Sequence, residues 1–204
     1  VKKVNAYSLN QTLKTDWDKF INNGDNEKPI LISEAGLNHN GSLDIAKKLI
    51  EESHKAGADA IKFQLFSSRV RASMNDRDAF YSEQADGEGE NLAQLFERTE
   101  LNIEQLKKLN EYSDKVGIPM FVSAFDRENL YKAANVFPDC IKISSMDLTN
   151  YEIWSEAPKM FKTVIASTGM STIEEIKRSI NLFNEIKAAN TNLALLHCVS
   201  SYPL

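Results

Sequence analysis

The sequence predicts an α/β protein of the TIM-type (β/α)8 barrel class, an incomplete barrel in which about six β/α units can be traced. Short apolar runs alternate with amphipathic helical stretches along most of the 204 residues, the pattern of parallel strands joined by helical crossovers. The first run, at 30–41 (ILISEAGLNHNG), turns without the GxGxxG fingerprint that a doubly wound sheet usually carries after its first strand. Polar side chains stand at nearly every strand end, as they do where a barrel assembles one site from many strands. A complete barrel has eight units and about 250 residues, so strands seven and eight are expected outside this sequence.

Taken in order, the first apolar run closes on Glu34; Gly36, Asn38, His39, Asn40 and Gly41 then turn the chain, and Ser42 caps a helix. In 43–56 the residues Leu43, Ile45, Ala46, Leu49, Ile50 and Ala56 recur at helical spacing until Gly57 ends the helix. Strand two is 58–65 (ADAIKFQL). The polar stretch 67–90, with Arg69, Arg71 and Arg77, is long for a connection within a compact domain and is expected to cover an active site. A short helix at 92–96 and a longer one from Asn102 to a stop at Gly117 lead to strand three at 120–124, and Asp126 starts the next helix. Strand four is 140–144 (CIKIS), followed by a helix at 151–156. Strand five is 163–167 (TVIAS); the helix at 172–188 is expected to be capped by Ser171, with Glu174 completing a capping box. Strand six is 193–198 (LALLHC).

Residues 1–28 read as an N-terminal extension without assignable chemistry, and 29–204 as the partial barrel. A first residue that is Val1 and a last stretch that follows directly on a strand predict a piece of a longer polypeptide. With 42% hydrophobic and 26% charged residues the chain can bury a sizeable core. A net charge of -5, with both signs mixed, supplies no basic patch for nucleic acid or an anionic membrane, and no apolar run is long enough to span a bilayer. Small-molecule partners and a cytoplasmic location are the expectation. Cys140 and Cys198 fall in predicted buried strands and read as reduced structural thiols.

Lys62 and Lys142, in IKFQ and IKIS, are hard to explain as packing, because an ammonium buried among strand residues requires an anion. Ser123, Ser145 and Ser167 at the ends of strands three, four and five could join them around one phosphate or carboxylate, or could simply cap the following helices. Glu34 is the carboxylate of the first strand, a candidate general base or a structural group. Gln64 shares a strand face with Lys62 and could orient substrate or water; Asp147 could hold a sugar hydroxyl or cap the next helix. His39 on a loop and His54 on a helix show no metal-pair spacing, and His197 reads as a core histidine within strand six.

SEAGLNHNG, GADAIKFQ, FVSAFD, IKISSMDLTN, ASTGMSTIEE and LLHCVSSYP, in this order and spacing, closely resemble the sialic acid synthase family, the phosphoenolpyruvate-condensing nonulosonate synthases, from about Pro29 to Pro203. The resemblance implies condensation of phosphoenolpyruvate with an N-acetylated amino sugar such as N-acetylmannosamine, with release of phosphate, in surface polysaccharide biosynthesis. It implies that Lys62, Ser123, Lys142, Ser145 and Ser167 hold phosphoenolpyruvate. Glu34 would handle water or proton transfer, Asp147 and Tyr202 would contact the sugar with Gln64 nearby, and the arginines of 67–90 could meet that acceptor. It further implies a divalent metal, Mn²⁺ or Mg²⁺, with its histidine ligands beyond residue 204, and a homodimer completed by a C-terminal antifreeze-like domain absent from this sequence. On that basis these 204 residues alone are expected to be inactive, with strand six and strand one as sheet edges. Two other readings stay open: a Schiff-base class I aldolase using Lys62 or Lys142, and a non-catalytic sugar- or phosphate-binding module.

Overall fold

Six parallel strands pair in the order in which they occur in the chain: β1 (Ile32–Gly36), β2 (Ala60–Leu65), β3 (Met120–Ala124), β4 (Cys140–Ile143), β5 (Thr163–Ser167) and β6 (Asn192–Leu196). The computed structural model describes residues 29–71 and 91–201. The N-terminal extension, most of the stretch expected to cover the site, and Tyr202 lie outside the described residues. Between the strands lie α1 (Leu43–Lys55), the one-turn α2 (Ser68–Arg71), α3 (Leu92–Thr99), α4 (Ile103–Val116), α5 (Arg127–Val136), α6 (Tyr151–Met160) and α7 (Ile173–Ile186). A strand order that never reverses has no topological switch point, which separates a barrel wound in one direction from a doubly wound sheet.

The two faces of the sheet confirm this. Side chains alternate across a strand, and the outward set, including Ile61, Phe63, Val122, Ile141, Val164 and Ala166, packs into one core with helix residues such as Ile50, Leu106, Leu130 and the fully buried Trp154. The inward set, Ala60, Phe121, Cys140 and Ile165 with Ile32 and Ala194, packs only against itself. One apolar residue from each of six strands thus forms a barrel floor with no helix in it. Full burial of a side chain of this size contributes about 1.5–3 kcal/mol, so the outer, helix-covered face dominates the packing. β1 and β6 each pair with one strand, and Leu195 and Leu196 are correspondingly 40% and 39% exposed. Among the described residues no helix is long and apolar enough to cross a membrane.

Local chemistry accounts for the ends of the elements, with several shifts from the sequence reading. β1 continues past Glu34 to Gly36 through a register irregularity that faces β2. Ser42 Oγ accepts from the Ile45 N–H and caps α1, and Gly117 closes α4 in the left-handed region. Gly41, at φ +78°, is where β1's turn meets the C-terminal end of α3: a Cβ there would stand 2.2 Å from the Arg98 carbonyl oxygen. α6 runs four residues further than the sequence suggests, with Pro158 inside its last turn. α7 is capped by Thr172 rather than Ser171, and the box is completed by Glu175 rather than Glu174. The sequence offers both pairs at the same spacing; Thr172 Oγ1 accepts from the Glu175 N–H and the Glu175 carboxylate from the Thr172 N–H, at 3.3 and 2.8 Å, while Ser171 Oγ donates back to the Gly169 carbonyl. β6 stops at Leu196, so His197 and Cys198 are outside the strand; His197 is exposed and Cys198 only half-buried, because no further strand covers β6 in the described residues. Cys140 is buried, as expected.

Candidate active site

Strand register builds the site from two rows of inward-facing side chains. Glu34 on β1 pairs in register with Lys62 on β2, and Lys62 with Phe121 on β3. One step towards the C-terminal ends, Gln64 pairs with Ser123, Ser123 with Lys142 on β4, Lys142 with Ile165 on β5, and Ile165 with Ala194 on β6. Parallel strands point all their C-terminal ends one way, so both rows open into a single cavity of about 610 Å³ above the apolar floor. Its lining includes Glu34, Lys62, Gln64, Ser123, Lys142 and Ser167.

The polar side chains are partly committed and partly open. Lys62 Nζ forms an ion pair with Glu34 Oε2 and donates to Ser123 Oγ at 3.2 Å. The other Glu34 oxygen accepts from the Gly36 N–H at 3.0 Å, which fixes the carboxylate over the end of β1. Lys142 Nζ donates to the Ile143 carbonyl at 2.6 Å; an ammonium has three donors, so this leaves donors to turn towards the cavity. Burial and then the neighbouring Lys62 ammonium pull Lys142 down to about 8, against the weaker pull of Cys198, Glu34 and Asp147. Gln64 Oε1 is buried without a hydrogen-bond partner. Two cations sharing one cavity, with hydroxyls beside them, make a receptor for an anionic oxygen cluster.

Among the described residues no group of three His, Cys, Asp or Glu side chains comes together to hold a metal ion. His39 is 1% exposed; its Nδ1 accepts from the Gly41 N–H at 3.0 Å and its ring stacks on Phe63, while burial lowers its pKa. It belongs to the turn and not to a metal centre. The described residues therefore offer no ligand set for the divalent metal implied by the resemblance, whose histidine ligands the resemblance places beyond residue 204.

Residues 49–204 match the NeuB family. The chain belongs to that family. Over 177 residues it is 34% identical to the N,N'-diacetyllegionaminic acid synthase of Campylobacter jejuni, covering 87% of this chain and 53% of that protein. It is 31% identical to the N-acetylneuraminate-9-phosphate synthase of Drosophila melanogaster, covering 85% of this chain and 46% of that one. The crystal structure of the N-acetylneuraminic acid synthetase of Leptospira borgpetersenii in complex with citrate superposes with a TM-score of 0.71 at 32% identity, over 86% of this chain and 55% of that one. The chain spans about half the length of the relatives it matches.

Within this NeuB-family chain, Glu34, Lys62, Gln64, Ser123, Lys142, Ser145 and Ser167 all line the one cavity. Ser145 does so from a 3₁₀ turn after β4, where its Oγ accepts from the Gly169 N–H at 3.1 Å. Asp147 is not among the lining residues: it is buried in the same turn, its carboxylate accepting from Ser144 Oγ at 2.6 Å and Asn150 Nδ2 at 3.2 Å. Asp147 is thus engaged inside its own turn, and the next helix, α6, takes Asn150 as its N-cap instead of Asp147. Ser144, Met146, Met170 and Ser200 line the cavity without a role assigned from the sequence, and Arg71 lines it from the stretch whose arginines are expected to meet the acceptor sugar. Ser144 was accessible, since it continues the inward alternation of Cys140 and Lys142. For Arg71 the signal was only its place in an arginine-bearing stretch expected to meet the acceptor, with nothing to single it out from Arg69 or Arg77.

Proposed function

We propose that this chain supplies the phosphoenolpyruvate-binding part of a nonulosonate synthase barrel, which condenses phosphoenolpyruvate with an N-acetylated amino sugar to give a nonulosonic acid and phosphate. The supporting observation is the pairing of two strand-borne lysines, Lys62 at 9% and Lys142 at 7% exposure, in a cavity where Glu34 is the one carboxylate among the described lining residues. A doubly anionic substrate offsets the cost of burying two ammonium groups together. Relatives named as legionaminic acid and N-acetylneuraminate-9-phosphate synthases support the synthase part of this reading.

In this scheme Lys62, Lys142, Ser123, Ser145 and Ser167 bind and orient phosphoenolpyruvate. Its methylene carbon forms the new bond to the aldehyde carbon of the open-chain sugar, and the positive charge left at the phosphate-bearing carbon is taken by water. Glu34 accepts one proton of that water, and the proton is returned to the alkoxide formed from the aldehyde. The phosphate-bearing carbon then collapses to a ketone as its bond to the phosphate oxygen breaks, and the remaining water proton leaves with the phosphate. Lys62, ion-paired to Glu34, keeps that carboxylate aimed. Gln64, with a buried acceptor unspent, and Tyr202 contact the sugar. Asp147 acts on the sugar side only by bracing the turn that carries Ser145. The divalent metal of such enzymes, a cytoplasmic location and a homodimer belong to the whole polypeptide in this proposal.

A coupled phosphate-release assay on the complete polypeptide, with phosphoenolpyruvate, Mn²⁺ and a panel of N-acetylated hexoses, tests this. Sugar-dependent release that Lys142→Ala abolishes supports it; no release with any sugar removes it. A second reading has one observation in its favour: a lysine pulled down to about 8 is partly neutral at physiological pH, as a Schiff-base nucleophile requires. Borohydride trapping of a carbonyl substrate on Lys142 would select the aldolase.

A further inference from the structure

We propose that Arg71 is a second anion-recognition point of this cavity, beyond the strand ends that carry Lys62 and Lys142, and that its Nη1 edge takes a carboxylate or phosphate oxygen of a bound substrate. The inference rests on the reading that the cavity binds phosphoenolpyruvate and an amino sugar, and adds a residue which neither the strand pattern nor the sequence motifs assign.

Arg71 ends the one-turn helix α2, and its guanidinium carbon lies 3.7 Å from the ring centroid of Phe125, 4.8 Å from Phe96 and 4.9 Å from Phe66. Phe66 follows β2, Phe125 follows β3 and Phe96 lies on α3; Phe66 meets the other two rings edge to face, at 5.5 and 6.4 Å. Aromatic faces hold a guanidinium by its plane. A guanidinium held this way keeps its in-plane N–H groups, the ones that recognise oxyanions bidentately, off the ring faces.

Nη1 is buried and has no hydrogen-bond partner, and the residue lines the cavity. Asp147 attracts the guanidinium from a distance, but its carboxylate is already engaged by Ser144 and Asn150. Burial lowers Arg71 to about 10, which leaves it charged at neutral pH. Among the described residues, three cations, Lys62, Arg71 and Lys142, therefore face one lining carboxylate, Glu34. A buried donor left without a partner is costly, and a cage that fixes its orientation towards a cation-rich cavity is accounted for by an oxyanion on the ligand.

Two sources of that oxyanion exist under the proposed reaction: phosphoenolpyruvate itself, or a phosphate carried by the acceptor sugar. The test compares wild type with Arg71→Met, which keeps the stem against the three rings, in the complete polypeptide. Calorimetry gives Kd for phosphoenolpyruvate, and steady-state kinetics give KM for N-acetylmannosamine and for its 6-phosphate. A rise of about tenfold or more in Kd for phosphoenolpyruvate assigns Arg71 to that substrate. A comparable rise in KM confined to the 6-phosphate assigns it to the acceptor. Changes below about twofold in all three overturn the proposal. Should Arg71→Met not fold, crystal structures of the wild type with each anionic ligand decide: an anionic oxygen within hydrogen-bonding reach of Nη1 is expected in one, and its absence from both refutes the inference. Because Kd is read without turnover, loss of phosphoenolpyruvate binding in the variant stands even if no sugar supports catalysis, so the two readings fail separately.

Discussion

Replacing Lys142 by methionine is expected to stabilise the unliganded protein at pH 7. Lys142 is 7% exposed and shares its cavity with a second ammonium, and together burial and Lys62 lower it from the ordinary 10.5 to about 8. At about 1.4 kcal/mol for each factor of ten, holding the proton in the folded state costs about 3 kcal/mol. Methionine keeps a similar unbranched stem and forfeits the 2.6 Å bond to the Ile143 carbonyl, a net loss of about 1 kcal/mol. The variant should then be more stable by about 2 kcal/mol, or roughly 4–8 °C in Tm for a domain of this size. The sign with pH follows from proton counting: between about 8 and 10.5 the unfolded chain holds a proton that the folded chain has released, so wild-type stability rises with pH through that window. Below it both states are protonated and the full cost persists. The advantage of Lys142→Met should thus be largest at pH 7, vanish at about pH 10 and reverse slightly by about pH 10.5. Adding phosphoenolpyruvate should stabilise the wild type and leave the variant nearly unmoved. Thermal denaturation of both proteins from pH 7 to 10.5 reads all of this. A variant less stable than wild type at pH 7, or a gap that does not change with pH, would refute the idea that this lysine is held at a cost for a ligand.

Glu34→Gln keeps the shape of the β1 end but removes the proton acceptor and the Lys62 counter-charge; single-turnover phosphate release should fall by about 10²–10⁴-fold while calorimetric phosphoenolpyruvate binding survives. Thr172→Ala should cost about 1 kcal/mol in urea denaturation and Ser171→Ala almost nothing, since only Thr172 closes the capping box on α7; equal losses would return the cap to Ser171. Gly41→Ala combines a backbone at φ +78° with a Cβ 2.2 Å from the Arg98 carbonyl oxygen, and should lower stability by about 2 kcal/mol or more, seen as a shifted urea midpoint with an unchanged slope.

What could be read from the chain was whatever a period of two decides. Lys62, Gln64 and Lys142 are polar interruptions of apolar strand runs, and once the alternation is written out they can only share the face that Ala60, Phe121 and Cys140 floor. The barrel itself was legible because each strand carries its own helix and no phosphate fingerprint intervenes; the uninterrupted strand order is the same fact seen in space. Positions outside the strands obey no such rule. Ser171 and Thr172 both stand three residues before a glutamate, and only the path of the preceding loop, where Ser171 turns back to Gly169, selects between them. His197 follows four apolar or small residues and so reads as buried, but burial of an edge strand depends on what pairs with it next, and in the described residues β6 has a partner on one side alone.

Arg71 shows the same boundary from the functional side. Its guanidinium is placed by three phenylalanines drawn from the ends of two strands and from a helix that follows a long intervening stretch, so no local window contains its environment. The strand-borne lysines and Glu34 are set by register, with little freedom to be elsewhere once the sheet forms. Arg71 instead depends on how the connections fold over the strand ends, the region where barrel enzymes vary most. On the proposed function, the chemistry common to the reaction would be built into the sheet, and a side chain proposed to tell one anionic ligand from another would be left to the loops, where it can change without disturbing the floor beneath.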